Sequence, residues 1–158
     1  MFDVRPLTMK SSVDCGPTCL TMLLDYYGKE ADQDAITKEC NVNLSGCTAK
    51  DILRVGKAHD LDMKAFQMDA DELIRQDRPA ITWWRYNHFV IMAGRADNGD
   101  VVICNPYSGR FAIDVDSFTK IYAGVAIFNG DPEDLPDPPA QATAEDYEAA
   151  LSRLGVSV

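Results

Sequence analysis

Apolar residues crowd positions 17–28, where Cys19, Leu20, Met22, Leu23, Leu24, Tyr26 and Tyr27 fall nearly all round a helical wheel, as in a helix packed on several sides. Pro17 suits a first helical position, because its missing N–H would have no partner there, so the helix is expected to begin at Pro17. Gly28 supplies the left-handed residue that commonly closes a helix. Residues 32–39 read as a short helix and 48–59 as a longer one, with Thr48 and Asp51 at capping-box spacing and Ile52, Val55 and Ala58 facing inward. Beyond residue 60 the pattern becomes that of strands, expected at 61–66, 79–84, 88–94, 101–105, 111–115 and 124–128, with short helices at 69–75 and 117–122. Asp97-Asn98-Gly99-Asp100 and Pro106-Tyr107-Ser108-Gly109 supply turns between them. Residues 2–7 read as a short edge strand, since Pro6 is tolerated only at an edge. Helices first and strands afterwards predict an α+β domain over residues 1–130, with N-terminal helices packed on a C-terminal antiparallel sheet.

The last residues depart from this pattern. Four prolines and four acidic residues occupy positions 131–139, so 131–142 reads as a linker or surface wrap. Thr143 and Asp146 then open a short amphipathic helix at 143–158, with Tyr147, Leu151 and Leu154 on one face, expected to dock on the domain or to meet a partner. Of the net charge of −10, this segment from Asp131 onward carries −6. Clustered Lys and Arg are missing, which argues against a nucleic-acid partner. No run approaches the roughly 18 apolar residues of a membrane span, and residues 1–10 lack the apolar core of a secretory signal. Five cysteines without a Cys-x-x-Cys pair fit a reducing, cytoplasmic setting better than a disulfide framework or a zinc site, and no cofactor is expected.

The candidate chemistry starts at Cys15, just before the first apolar helix. Unpaired N–H groups and the positive end of the helix dipole favour an anion there, so its thiol is expected to ionise more readily than a free one. A thiol nucleophile needs a base, and the base needs a group to hold its ring. His59 lies at the polar end of a helix beside Asp60 and reads as solvent-facing. His88 opens the apolar strand His88-Phe89-Val90-Ile91-Met92, where its ring is free to reach across a cleft. Asn105 ends the next strand and, if the two strands pair, lies beside His88 with a side-chain oxygen able to accept the imidazole N–H. Trp83, Trp84, Tyr86 and Tyr107 are candidates to line a substrate groove near His88.

Cys15, His88 and Asn105 stand in the chain order of the papain-like nucleophile, base and orienter. With Val13-Asp14-Cys15-Gly16-Pro17-Thr18-Cys19, Gly46-Cys47-Thr48, Ala58-His59-Asp60-Leu61, Arg78-Pro79-Ala80-Ile81 and Asn105-Pro106-Tyr107-Ser108-Gly109, the sequence resembles the bacteriocin-processing cysteine peptidase family over about residues 5–128. Members of that family usually form the N-terminal domain of ABC transporters that cut leader peptides after a Gly-Gly pair. The resemblance implies a papain-like fold, a peptide or protein substrate, Cys15 as nucleophile and His88 as base. Two positions depart from the family pattern. Asn105 stands where an aspartate is usual, so it can orient the ring without adding charge. The glutamine expected six residues before the cysteine falls on Met9, which has no donor; Lys10, or else Ser11 or Ser12, is the candidate to serve the oxyanion, together with the Cys15 N–H. No transporter motif follows residue 128, so a free-standing copy is expected. The alternatives are a catalytically weak peptide-binding module of the same fold and a Cys15-dependent acyltransferase or deamidase.

Overall fold

The apolar run folds as α1, Cys15–Tyr26, in which every residue from Gly16 to Leu24 is buried. In the computed structural model, which describes residues 1–44, 46–85 and 88–132, this helix starts two residues before Pro17. Pro17 is accommodated because none of the first four N–H groups of a helix has an intrahelical partner, so proline loses nothing at the third position either. The end is as expected. Gly28 takes φ +74°, its N–H bonds the Asp25 carbonyl at 3.0 Å, and the Lys29 N–H reaches back to Leu24 at 2.9 Å, the paired bonds of a glycine-closed terminus.

Two further helices follow, α2, Gln33–Glu39, and α3, Ala49–Ala58. Asp32 caps the first through the Ala35 N–H, and Thr48 and Asp51 form the expected capping box on the second. Ile52 and Val55 face inward, but Ala58 is exposed and Gly56 takes the third inward place. A Cβ on Gly56 would sit 2.4 Å from Met63 Cγ, so the missing side chain is what lets α3 lie close to the sheet.

That sheet has six antiparallel strands: β1, Met63–Gln67; β2, Ala80–Trp84; β3, His88–Arg95; β4, Val101–Asn105; β5, Gly109–Ile113; and β6, Tyr122–Asn129. Their order is β1-β6-β2-β3-β4-β5. Two short helices, α4, Ala70–Arg75, and α5, Val115–Ile121, complete the described residues. The fold is therefore α+β, with the topology order expected of helices followed by strands. The linker and helix expected over 131–142 and 143–158 lie outside the described residues from 133 onward.

Residues 2–7 do not form the expected strand. Phe2 makes one ladder-like bond, its N–H to the Ala93 carbonyl at 2.9 Å. Beyond it, the Arg110 guanidinium takes the carbonyls of Phe2 and Val4, at 3.1 and 3.3 Å, and Pro6 has no N–H to offer. The segment is held by a side chain where a strand would be held by a ladder.

Both faces of the sheet are covered. One packs Ile81, Trp83, Phe89, Ile91 and Cys104 against the side chains of α1 and α3; the other packs Trp84, Val90, Met92 and Ile103 with Leu73 of α4 and Phe118 of α5. This is why β2 and β3 read as continuous apolar runs with no polar alternation. No described helix is long and apolar enough to cross a membrane.

Trp83 belongs to this core. It is 1% exposed and packs edge-on to Phe89 with ring centroids 4.4 Å apart. Trp83→Ala is expected to lower the free energy of unfolding by about 3–5 kcal/mol in urea titrations. Leu44, 97% exposed, gives the contrast: Leu44→Ser should change it by no more than about 0.5 kcal/mol.

Candidate active site

Cys15 is the first residue of α1, and Asp14 before it has turned its side chain away from the helix. The Asp14 carboxylate is 3% exposed and accepts the backbone N–H groups of Lys10 and Ser11, each at 3.1 Å. It therefore fixes the loop that approaches the cysteine. It also leaves the helix N-terminus uncapped, and the Thr18 N–H is the one that bonds back to the Asp14 carbonyl, at 3.1 Å. The amides of Cys15 and Gly16 remain directed at whatever occupies the helix mouth.

The sulfur of Cys15 does not behave as its helix position alone implies. Burial pushes the Cys15 thiol up, hydrogen bonds at the backbone of Phe89 and Gly16 pull it back, and the Asp14 carboxylate pushes it further up. The expected easier ionisation is thus overturned for the resting structure, because loss of solvent outweighs the amides. Contact with the Phe89 backbone also locates the sulfur: it is one residue along β3 from His88. The next turn of α1 is tied to the same point, since Cys19 Sγ donates to the Phe89 carbonyl at 3.4 Å.

His88 and Asn105 sit at neighbouring strand ends on one face of the sheet, and their side chains meet. His88 Nε2 lies 2.8 Å from Asn105 Oδ1. The same oxygen accepts the Tyr107 backbone N–H at 2.8 Å. A backbone amide can only donate, so that contact identifies the oxygen of Asn105, and His88 Nε2 must carry the hydrogen in its bond. Nδ1 of the neutral ring is then bare and able to take a proton. His59, by contrast, pairs with Glu39 at 2.6 Å between α2 and α3, the surface role its sequence position suggested.

Beside this pair opens a cleft of about 460 Å³ lined by Met9, Ser12, Trp84, Arg85, His88, Asn105, Tyr107 and Ile121. The residues nominated for it from sequence separate here. Tyr107 is 78% exposed at the rim, and Trp84 lies in the wall. Trp83 is turned to the opposite face of the sheet and buried, so it lines no groove; adjacent strand residues cannot both face the same side. Tyr86 lies outside the described residues. Lys10 is not among the residues lining the cleft, and its ammonium is 2.7 Å from Asp34 at the start of α2. Met9 is in the cleft, held by its N–H to the Pro106 carbonyl at 2.9 Å, and Ser12 is the hydroxyl beside it. Among the described residues no group of three or more His, Cys, Asp or Glu side chains could hold a metal ion. Asp14 is the residue that sequence reasoning missed; it stands three residues before the helix start expected at Pro17, and nothing local shows it bonding backwards to the Lys10 and Ser11 amides.

A half-buried thiol at a helix mouth, against the Phe89 backbone, and an imidazole held by an asparagine at the start of the same strand are the parts that a papain-like fold brings to one end of its sheet. The sequence profile of the Peptidase C39 family matches residues 5–134, and the chain belongs to this family of cysteine peptidases. It is 26% identical to the colicin V secretion/processing ATP-binding protein CvaB of Escherichia coli over 116 residues, 73% of this chain. Those residues are 16% of CvaB, so the chain spans a small part of that relative's length. The fold is that of a double glycine motif protease from an AMS/PCAT transporter, solved in complex with the leader peptide (TM-score 0.76, 24% identity, covering 80% of this chain and 91% of that one). It is also that of the peptidase domain of Streptococcus ComA, a bifunctional ABC transporter involved in a quorum sensing pathway (TM-score 0.72, 21% identity, 79% and 96% covered).

Asp14→Asn removes a negative charge that disfavours the thiolate, so the pH midpoint for alkylation of Cys15 by iodoacetamide is expected to move down relative to wild type. Asp14→Ala additionally leaves the Lys10 and Ser11 amides unpaired and should cost about 1–3 kcal/mol of stability.

Proposed function

We propose that this cysteine peptidase uses Cys15 as nucleophile, His88 as general base and acid, and Asn105 as the group that orients His88. The observation that carries the reading is the doubly donated Asn105 oxygen, because it leaves His88 with a basic nitrogen and no freedom to present the other one. His88 Nδ1 takes the thiol proton as substrate arrives, and the sulfur attacks a backbone carbonyl carbon. His88 then gives that proton to the departing amine, leaving a thioester. A water molecule deprotonated by His88 attacks the thioester and releases the acid. A thiol that burial keeps protonated at rest fits a base that acts on substrate binding.

The developing oxyanion is assigned to the uncapped amides of the first turn of α1, with the Ser12 hydroxyl as the side-chain donor where Met9 has none. The substrate is a peptide or protein segment lying in the cleft past His88. Cleavage after small residues, a Gly-Gly pair above all, is supported by the double glycine motif protease that shares the fold. Met9 in the cleft wall favours one second reading, a peptide-binding module with little turnover, since loss of an oxyanion donor typically lowers the rate roughly a hundredfold to a thousandfold.

The deciding experiment is incubation of wild-type and Cys15→Ala protein with a diverse peptide mixture, read by mass spectrometry. Cuts after small residues that vanish with Cys15→Ala are expected. Peptides retained but uncut would establish the binding module, and a mass gain of about one unit without a cut would establish deamidation. On a peptide identified in this way, Asn105→Ala is expected to lower kcat by about 10²–10⁴-fold through loss of His88 orientation, and Asn105→Asp to retain most of it.

A further inference from the structure

Five cysteines are free thiols; Cys47 lies against Gly16, the residue after Cys15, and Cys40 is hydrogen-bonded to Cys47. Cys47 follows Gly46 in the turn between α2 and α3, and its Sγ lies over the backbone of Gly16, 2.5 Å from the point that a Cβ there would occupy. A glycine next to the nucleophile is what admits that sulfur. Cys47 is half-buried, while its neighbour Cys40 is fully buried and shares a hydrogen bond with it. The other two thiols are occupied elsewhere in the core, Cys19 with the Phe89 carbonyl and Cys104 with the Val4 carbonyl at 3.6 Å. Peptide hydrolysis by Cys15, His88 and Asn105 makes no use of Cys47.

We propose that Cys47 is a resolving thiol for Cys15, closing a disulfide with it after a peroxide has oxidised the nucleophile and so shutting the peptidase reversibly. The inference rests on Cys15 being the reactive thiol of the proposed triad. In the first step His88 Nδ1 takes the Cys15 proton as the sulfur attacks one peroxide oxygen; the O–O bond breaks, the sulfur becomes a sulfenic acid, and the other oxygen leaves with that proton as water. In the second, Cys47 Sγ attacks the Cys15 sulfur. The S–S bond forms, the S–O bond breaks, and the hydroxyl departs with the Cys47 proton as a second water. A dithiol reductant restores both thiols by exchange.

The surroundings assign the order of events. Burial pushes both thiols up, but at Cys15 the amides of Phe89 and Gly16 face the sulfur and offset part of that push. At Cys47 the hydrogen bond to Cys40 adds to burial and is offset by no amide, so Cys15, with the proposed base His88, is the easier of the two to ionise and meets peroxide first. Cys15 is fixed in α1, whereas Cys47 rides on a small turn closed by reciprocal bonds between Asn43 and Gly46, at 3.1 and 2.9 Å, with Leu44 fully exposed at its tip.

The test is peroxide treatment of the whole chain, followed by alkylation, digestion and mass mapping, with peptide cleavage assayed before and after dithiothreitol. Wild type is expected to give a Cys15–Cys47 linked peptide, lighter by two hydrogens, and to lose activity that dithiothreitol restores. Cys47→Ser should give no link and should proceed to Cys15 sulfinic acid, with activity that does not return. Cys40→Ala should still form the link, and circular dichroism verifies that both variants are folded. Sulfinic acid on Cys15 at equal rates in wild type and Cys47→Ser, or a link between Cys40 and Cys47 in place of the expected one, overturns the proposal. Because the link is read by mass, its formation without any peptide cleavage would overturn the peptidase reading alone.

Discussion

The oxygen of Asn105 is the point on which the site depends. Two donors converge on it, the Tyr107 amide and His88 Nε2, each at 2.8 Å. The amide is part of the turn between β4 and β5, where Asn105 pairs with Gly109 and Gly109 takes φ +85°. Sheet register and turn geometry thus hold the asparagine, the asparagine holds the imidazole, and the tautomer follows from which atoms can donate. An aspartate would hold the ring equally well and add charge; asparagine does the positioning alone.

The second constraint is close approach around α1. The helix is buried from Gly16 to Leu24, and its first turn is pressed between the start of β3 and the turn carrying Cys47. Burial keeps the Cys15 thiol protonated, while the uncapped amides beside it await negative charge. Asp14 reconciles these demands by spending its carboxylate on the Lys10 and Ser11 amides, which shapes the loop and leaves the helix mouth open. The proposed nucleophile, the proposed oxyanion donors and the thiol neighbour are consequences of one packing arrangement.

Much of this was legible in the residue pattern because it rests on local chemistry. Gly28 ends α1 for want of a Cβ, and Thr48 with Asp51 opens α3 through bonds three residues apart. His88 and Asn105 come together because strand ends joined by short turns have little choice of partner. What was not legible depends on contacts distant in sequence. Lys10 finds Asp34, Arg110 takes the carbonyls that would have made residues 2–7 a strand, and Trp83 faces the core because strand alternation puts Trp84 toward the cleft. The thiol direction was misjudged for the same reason: helix position is visible in sequence, but the depth of burial is set by Phe89 and Cys47 from elsewhere in the chain.

The central claim is that Asn105 holds His88 with Nε2 protonated and Nδ1 free to act as base. Nitrogen-15 NMR of the neutral His88 ring measures this directly, with His59→Gln used to assign the two histidines. Signals of a ring protonated at Nε2, reverting toward the mixture of a free imidazole in Asn105→Ala, are expected. A ring protonated at Nδ1 in the wild-type protein would contradict the assignment of base and orienter.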